Sequence, residues 1–380
     1  MSWPMPSDYQ IAVQNPQLSF RDPALRASTA VRTKLGLPQV AAGNFACVFK
    51  LKNKSDTFAV RCFLRPVTDQ KRRYDLLSKH LETYSSPYLV GFDYIEEGIR
   101  IHGQWFPIVN MEWVDGETLD NFVQRHINNP KMLRLLAARW RGLVASLRGA
   151  FMAHGDLQHG NVLVVSNGQL LLVDYDDMFL STLSGEKSPE IGHANYQHPQ
   201  RTDGDYNYGI DNFAALVIYT SLRALATEPK LWNDFNTANN LILTQADYNA
   251  PKQSRCFKRL ESSQDPQVVE LAKLLEECCS KPVTTVQYLE NVLQSLDTPL
   301  PPPPYLPKTK RKKTPTRAPT QVAEPVTQKV ICPKCGRAYD PDQVYCHKCL
   351  AWLQGSRVCR KCKSTIPANA PFCPECGTRK

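Results

Sequence analysis

The chain has 380 residues, 42% of them apolar, with six Trp and fifteen Tyr, enough for one large packed domain plus smaller modules. No apolar run approaches the roughly 20 residues that span a bilayer, and the N-terminal MSWPMPSDYQ lacks the basic and apolar regions of a secretory signal; the chain reads as soluble and cytoplasmic, with no membrane partner. The net charge of +10 sits in the tail, where residues 298–380 hold 16 Lys/Arg against four Asp/Glu, while the first 297 residues hold 30 against 32.

Residues 1–33 form an N-terminal extension whose role the sequence does not declare. From 34 to 297, strand-like and helix-like stretches alternate. FACVFKL and TFAVRCFL are apolar, β-rich runs joined by the polar KNKSD, which predicts a hairpin. KRRYDLLSKHLE, KMLRLLAARWRGLVASLRGAF and DNFAALVIYTSLRALA carry helical periodicity. Residues 298–329, beginning TPLPPPPYLPKTKRKK, are rich in Pro, Lys and Thr and nearly free of large apolar side chains. Such a segment buries too little to offset its ordering entropy, so an extended, disordered basic linker is expected. Residues 330–380 contain an internal repeat in which C-x2-C-x10-C-x2-C occurs twice, 27 residues apart.

The stretch AHGDLQHGNVLV, residues 153–164, carries the chemistry. Phosphoryl transfer needs a carboxylate to orient and deprotonate the attacking hydroxyl, and oxygen ligands for the metal that offsets phosphate charge. Asp156 is the candidate base. Asn161, five residues on, and Asp174, at the end of the apolar strand in LLLVDYDD, are candidate magnesium ligands.

At these residues the chain from about 34 to 297 resembles the eukaryotic-type protein kinase family. The resemblance implies an α+β, two-lobed protein-kinase-like fold, ahead of the linker and a small double zinc ribbon. It places Gly43, Phe45 and Val48 in the nucleotide-covering loop, although Ala41 and Ala46 stand where two family glycines belong. Arg61 takes the position of the lysine that grips the phosphates. Met111 becomes the gatekeeper, Glu112 and Val114 the hinge groups for adenine, and Glu117 the ribose contact. GHANYQHPQ, from Gly192, resembles the end of the activation segment, and Asp211 is expected to brace the catalytic loop.

The departures concern nucleotide grip more than catalysis. Arg keeps the charge of Lys on a longer planar group. The helix after it has no Glu at the expected distance, and Asp75, fourteen residues after Arg61, is the nearest anion. A longer cation with a shorter anion would preserve the reach of the pair. Gly155 stands where many kinases carry an Arg that reads a phosphorylated activation segment, so switching through Ser181, Thr182, Ser184 or Ser188 is not implied. Gln158 replaces a lysine near the γ-phosphate and Gln200 the glutamate of A-P-E. The loop is also similar to that of small-molecule kinases, but the activation-segment signature favours a protein acceptor.

QNPQLSFRDPALR, AHGDLQHGN, VDYDDMF and GHANYQHPQR, joined to terminal zinc ribbons, resemble a bacterial kinase group. That group is linked with von Willebrand factor A-type proteins and metal-dependent protein phosphatases in tellurium-resistance-like signalling sets. The resemblance implies a phosphorylation partner and an opposing phosphatase.

Eight of the 13 cysteines fall in four C-x-x-C pairs. In a chain without an export signal that spacing points to zinc rather than disulfides. Two structural Zn²⁺ sites are expected, Cys332/Cys335/Cys346/Cys349 and Cys359/Cys362/Cys373/Cys376, with interleaved ligation as the alternative. The other five, Cys47, Cys62, Cys256, Cys278 and Cys279, read as buried small hydrophobes. Four thiolates around Zn²⁺ leave a charge of −2, which Lys334, Lys348, Arg360, Lys361 and Lys363 offset; nucleic acid is the lesser partner class open to the basic tail.

The preferred reading is an ATP- and Mg²⁺-dependent protein kinase acting on Ser or Thr of a partner or of itself, its zinc-ribbon tail recruiting partners. The alternative is a pseudokinase scaffold that binds nucleotide weakly or not at all.

Overall fold

The computed structural model describes residues 3–43, 45–66, 69–84, 86–166 and 168–296, and, in the tail, 330–332, 336, 338–339, 356–358 and 365–367. The linker expected over 298–329 lies outside the described residues. The fold is mixed α/β with antiparallel sheets, and it divides into two compact units. The first is Met1–Ser85, Leu89–Glu117 and Leu171–Asp176; the second is Ser86–Tyr88, Thr118–Leu170 and Asp177–Lys380.

The first unit is built on six strands: β1 (Thr29–Ala30), β2 (Val40–Ala42), β3 (Ala46–Lys52), β4 (Thr57–Phe63), β5 (Phe92–Ile101) and β6 (Gln104–Glu112). They are ordered β1-β3-β4-β6-β5, with β2 also paired to β3. The hairpin expected at KNKSD joins β3 to β4. The Asn53 side chain accepts the N–H groups of Ser55 and Asp56 at 2.9 and 2.7 Å, an Asx turn that closes the loop locally.

Residues 1–33 are not an appendage. Three short helices, α1 (Pro6–Ala12), α2 (Pro16–Ser19) and α3 (Pro23–Arg26), each begin with Pro at the first position, where a missing N–H costs nothing. They bury Tyr9, Val13, Phe20 and Leu25 in one cluster with Phe49, Leu51, Val60, Ile99 and Ile108 of the sheet. The Tyr9 hydroxyl donates to the Phe63 carbonyl at 2.7 Å, satisfying the one polar group this burial brings in. The helix predicted at KRRYDLLSKHLE is α4 (Gln70–Thr83).

The second unit is largely helical: α5 (Leu119–Arg125), α6 (Pro130–Gly149), α7 (Asn212–Thr227), α8 (Lys230–Phe235), α9 (Gln245–Asn249), α10 (Arg255–Glu261), α11 (Pro266–Cys279) and α12 (Leu289–Ser295). Two of the three predicted helices are α6 and α7. Asn129 caps α6 by accepting the Met132 N–H at 3.1 Å, and Leu133, Leu136, Ala137 and Trp140 bury one face at helical spacing. Trp140 Nε1 donates to the Ala215 carbonyl at 3.0 Å, tying α6 to α7. Cys47, Cys62, Cys256, Cys278 and Cys279 are all buried thiols, as their lack of motif suggested.

The helix α12 is held by a buried ion pair. Arg141 Nε and Nη2 donate to Glu290 Oε1 and Oε2 at 2.7 and 2.8 Å, with both side chains 3% exposed. The bidentate geometry satisfies both carboxylate oxygens, and removing one partner strands the other charge away from water. Glu290→Ala is expected to cost about 3–5 kcal/mol in urea unfolding, whereas Arg141→Met with Glu290→Leu should recover most of that loss.

Candidate functional site

Two groups of predicted residues come together, one in each unit. In the first unit, Arg61 lies at mid-strand in β4, in register with Val48 on one side and Val109 on the other. Its guanidinium donates to Asp174 Oδ2 at 2.8 Å and to Asp176 Oδ2 at 2.6 Å. Burial works against the charge, but the two carboxylates outweigh it and raise the Arg61 pKa. Asp174 follows the strand Leu170–Leu172 and adopts a left-handed backbone with φ +67°. Left-handed backbone at a residue other than glycine costs about 1–3 kcal/mol and concentrates at working sites. The neighbouring Tyr175 is pinned: its hydroxyl accepts the Val90 N–H at 2.7 Å and donates to the Leu172 carbonyl at 2.8 Å.

The Arg61–Asp75 pair is not formed. Asp75 is exposed on α4, and the adjacent buried residue, Tyr74, donates its hydroxyl to Asp176 at 2.7 Å. One position along a helix turns the side chain by about 100°, so α4 sends a phenol rather than a carboxylate toward the arginine. Neither Tyr74 nor Asp176 was singled out in the sequence; a second Asp two residues after Asp174 was the available signal.

The remaining nucleotide-loop and hinge candidates lie in the same unit. Gly43 closes the β2–β3 hairpin by donating to the Ala46 carbonyl at 2.9 Å. Phe45 is 37% exposed, with the Arg65 guanidinium 3.9 Å from its ring centre. Met111 is buried near the end of β6, Glu112 exposed, and Val114 and Glu117 half-buried.

In the second unit the loop 153–161 is anchored by one buried carboxylate. Asp211, at the start of α7, accepts the N–H groups of His154 and Gly155 at 2.5 and 2.9 Å. Burial pushes its carboxyl up, against the favourable His154 ring and the two N–H groups. Asp156 is half-buried. Asn161 Nδ2 donates to the Asp156 carbonyl and to Oδ2, each at 2.9 Å. Gln158 reaches the same Oδ2 at 3.2 Å, and the His193 N–H donates to Oδ1 at 2.7 Å. The carboxylate is thus fixed by its neighbours, while Asn161 keeps its Oδ1 as the oxygen a cation would take.

The backbone of the loop requires glycine at position 155. Gly155 has φ +85°, and a Cβ there would stand 2.3 Å from the Asp177 carbonyl oxygen, so only glycine fits. The loop is also held by Arg201, 6% exposed, whose Nη1 donates to the Gly155 carbonyl at 2.9 Å and also to Gln197 Oε1. Ser188 is buried, its hydroxyl donating to the Glu190 carbonyl at 2.5 Å. Gln200 is exposed and makes no comparable brace.

In the tail, Val330–Ile331 pairs with Ala338–Tyr339, and Ser356–Val358 pairs with Thr365–Pro367. In sequence, a C-x-x-C pair falls between the two strands of each hairpin. Cys332 is buried, and the Gly336 N–H donates to its carbonyl at 2.9 Å, with Gly336 at φ +70°. That tight turn and its thiolate donor suit a zinc knuckle. Cys335, Cys346, Cys349, Cys359, Cys362, Cys373 and Cys376 lie outside the described residues. Among the described residues, no three metal-binding side chains converge, and no helix is long and apolar enough to cross a membrane.

Residues 332–377 match the double zinc ribbon family, which supports structural zinc in this tail. No curated protein matches the chain.

Gly155→Ala is expected to destabilise the chain by about 2–3 kcal/mol in urea; Gly155→Arg should do no better. Full-length protein should carry two zinc ions by elemental analysis, and Cys332→Ser should leave one.

Proposed function

We propose that the chain is a protein kinase that transfers the γ-phosphoryl of ATP to Ser or Thr of a protein partner or of itself, and that its two units are the lobes of a kinase-like fold. The observation carrying this reading is Asp156. Its carboxylate is oriented by Asn161 and Gln158, on a loop whose backbone is held by the buried Asp211. A base for hydroxyl deprotonation must be held in one orientation, and a frame of N–H donors does this. Asn161 and Asp174 would hold the metal, since carboxylate and amide oxygens suit Mg²⁺. When bound with ATP, that ion offsets charge on the phosphates.

In this reading Asp156 accepts the acceptor hydroxyl's proton. The oxygen bonds to the γ-phosphorus as the bond to the β-phosphate oxygen breaks, and ADP leaves. Arg61 supplies positive charge to the phosphates; its Nε, buried and without a hydrogen-bond partner among the described residues, shows that its donors are not used up by Asp174 and Asp176. The zinc ribbon recruits partners, and the bacterial-kinase resemblance separately suggests a von Willebrand factor A-type protein and an opposing phosphatase as functional partners. Its closed cysteine sites offer no position for chemistry.

One observation favours the scaffold reading instead. Asp174 is paired to Arg61, and both oxygens of Asp156 accept N–H groups, so these carboxylates serve as structural ties within their own units.

Transfer of labelled γ-phosphate from Mg-ATP to the chain and to a mixed protein acceptor separates the two. Wild-type incorporation should fall by about 10²–10⁴-fold in Asp156→Ala. No incorporation by wild type, with nucleotide still bound, would establish the scaffold.

A further inference from the structure

Arg61 lacks the helix glutamate that the family resemblance would give it, and Asp75 points to solvent. It is nonetheless held by two anions, and these are not equivalent. Asp176 is 18% exposed in its side chain and Asp174 32%. Asp176 uses both oxygens inside the first unit, Oδ2 for Arg61 and Oδ1 for the Tyr74 hydroxyl at 2.7 Å. Tyr74 is itself immobilised, 3% exposed, stacked on Tyr94 at 5.3 Å and edge-on to Phe92. Asp174 has Arg61 as its hydrogen-bonding partner, on a strained left-handed backbone.

Charge leads to the same distinction. One guanidinium between two carboxylates leaves an excess negative charge, which attracts a cation. If Asp174 turns to that cation, Arg61 and Asp176 remain as a neutral pair. A phenol on α4 orients Asp176 without adding a third negative charge, as a carboxylate there would.

Resting on the kinase reading above, we propose that Asp176, oriented by Tyr74, is the permanent counter-charge that positions Arg61 for phosphate, and that Asp174 is the partner Arg61 exchanges when metal and nucleotide arrive. Asp176 and Tyr74 are therefore positioning residues. The anchoring role that the family gives to the helix passes in this chain to the segment following Leu170–Leu172.

The test uses the full chain and two readouts. In nucleotide-free protein, thermal midpoints are measured for Arg61→Met, Asp176→Asn and the double variant, and for Arg61→Met with Asp75→Asn. The Arg61 and Asp176 shifts should be strongly non-additive, and those of Arg61 and Asp75 additive. Binding of a fluorescent ATP analogue with Mg²⁺ should weaken on the order of 10- to 100-fold in Asp176→Asn, the size of a lost charged hydrogen bond. Tyr74→Phe should weaken it less, and Asp75→Asn by under about twofold. Arg61→Lys combined with Asp176→Glu, a shorter cation with a longer anion, should regain affinity lost in either alone.

Additive midpoints for Arg61 and Asp176, or unchanged analogue binding in Asp176→Asn, would overturn the proposal. So would a defect confined to the Mg²⁺ concentration required, which would make Asp176 a metal ligand. Wild-type protein that binds no nucleotide would sink the kinase reading and the phosphate role with it, while the midpoints would still show whether Asp176 anchors Arg61.

Discussion

A charge taken out of water has to be met by a partner within the fold, and this requirement organises both units. Arg61 is met by Asp174 and Asp176, Arg141 by Glu290, Arg201 by the Gly155 carbonyl and Gln197, and Asp211 by two backbone N–H groups. Leaving any of these groups buried and unpaired would cost several kcal/mol. Each partnership therefore draws together segments far apart in sequence. Three of the four involve the candidate functional residues or the loop that carries them, so the charges that fix the fold also set the geometry of the proposed chemistry.

The loop 153–161 illustrates how substitution at one position is answered at another. With glycine at 155 the backbone takes a left-handed turn against the Asp177 carbonyl. Arg201, 46 residues further along the chain, donates to the Gly155 carbonyl and fixes it from outside the loop. A loop held in this way is ordered by internal hydrogen bonds. Ser188 is buried in the same region. In the α4 region the anion beside Arg61 is Asp176, and the helix contributes a neutral hydroxyl, that of Tyr74.

Much was legible in the sequence because it depended on local pattern. The KNKSD hairpin, the three long amphipathic helices and the unpaired buried cysteines follow from periodicity, turn chemistry and spacing over a few residues. The double zinc ribbon followed from cysteine spacing alone, because a metal knuckle is a local structure. Asp211 as the brace of the loop was anticipated through the resemblance, and its two hydrogen bonds have the expected form. The N-terminal helices were not legible: MSWPMPSDYQ and QNPQLSF have short, Pro-interrupted patterns, and their burial depends on the sheet they cover.

By itself, then, the sequence determined where the cysteine knuckles of the zinc ribbon recur and which segments become helix or strand. Only the tertiary structure decided partners. Arg61 pairs with Asp174 and Asp176, 113 and 115 residues away, rather than with Asp75, 14 away. Proximity in sequence says little about which anion shares a buried position, because a helix rotates its side chains by about 100° per residue. Desolvation then selects the carboxylate that can be paired on both oxygens, and in this chain that is Asp176.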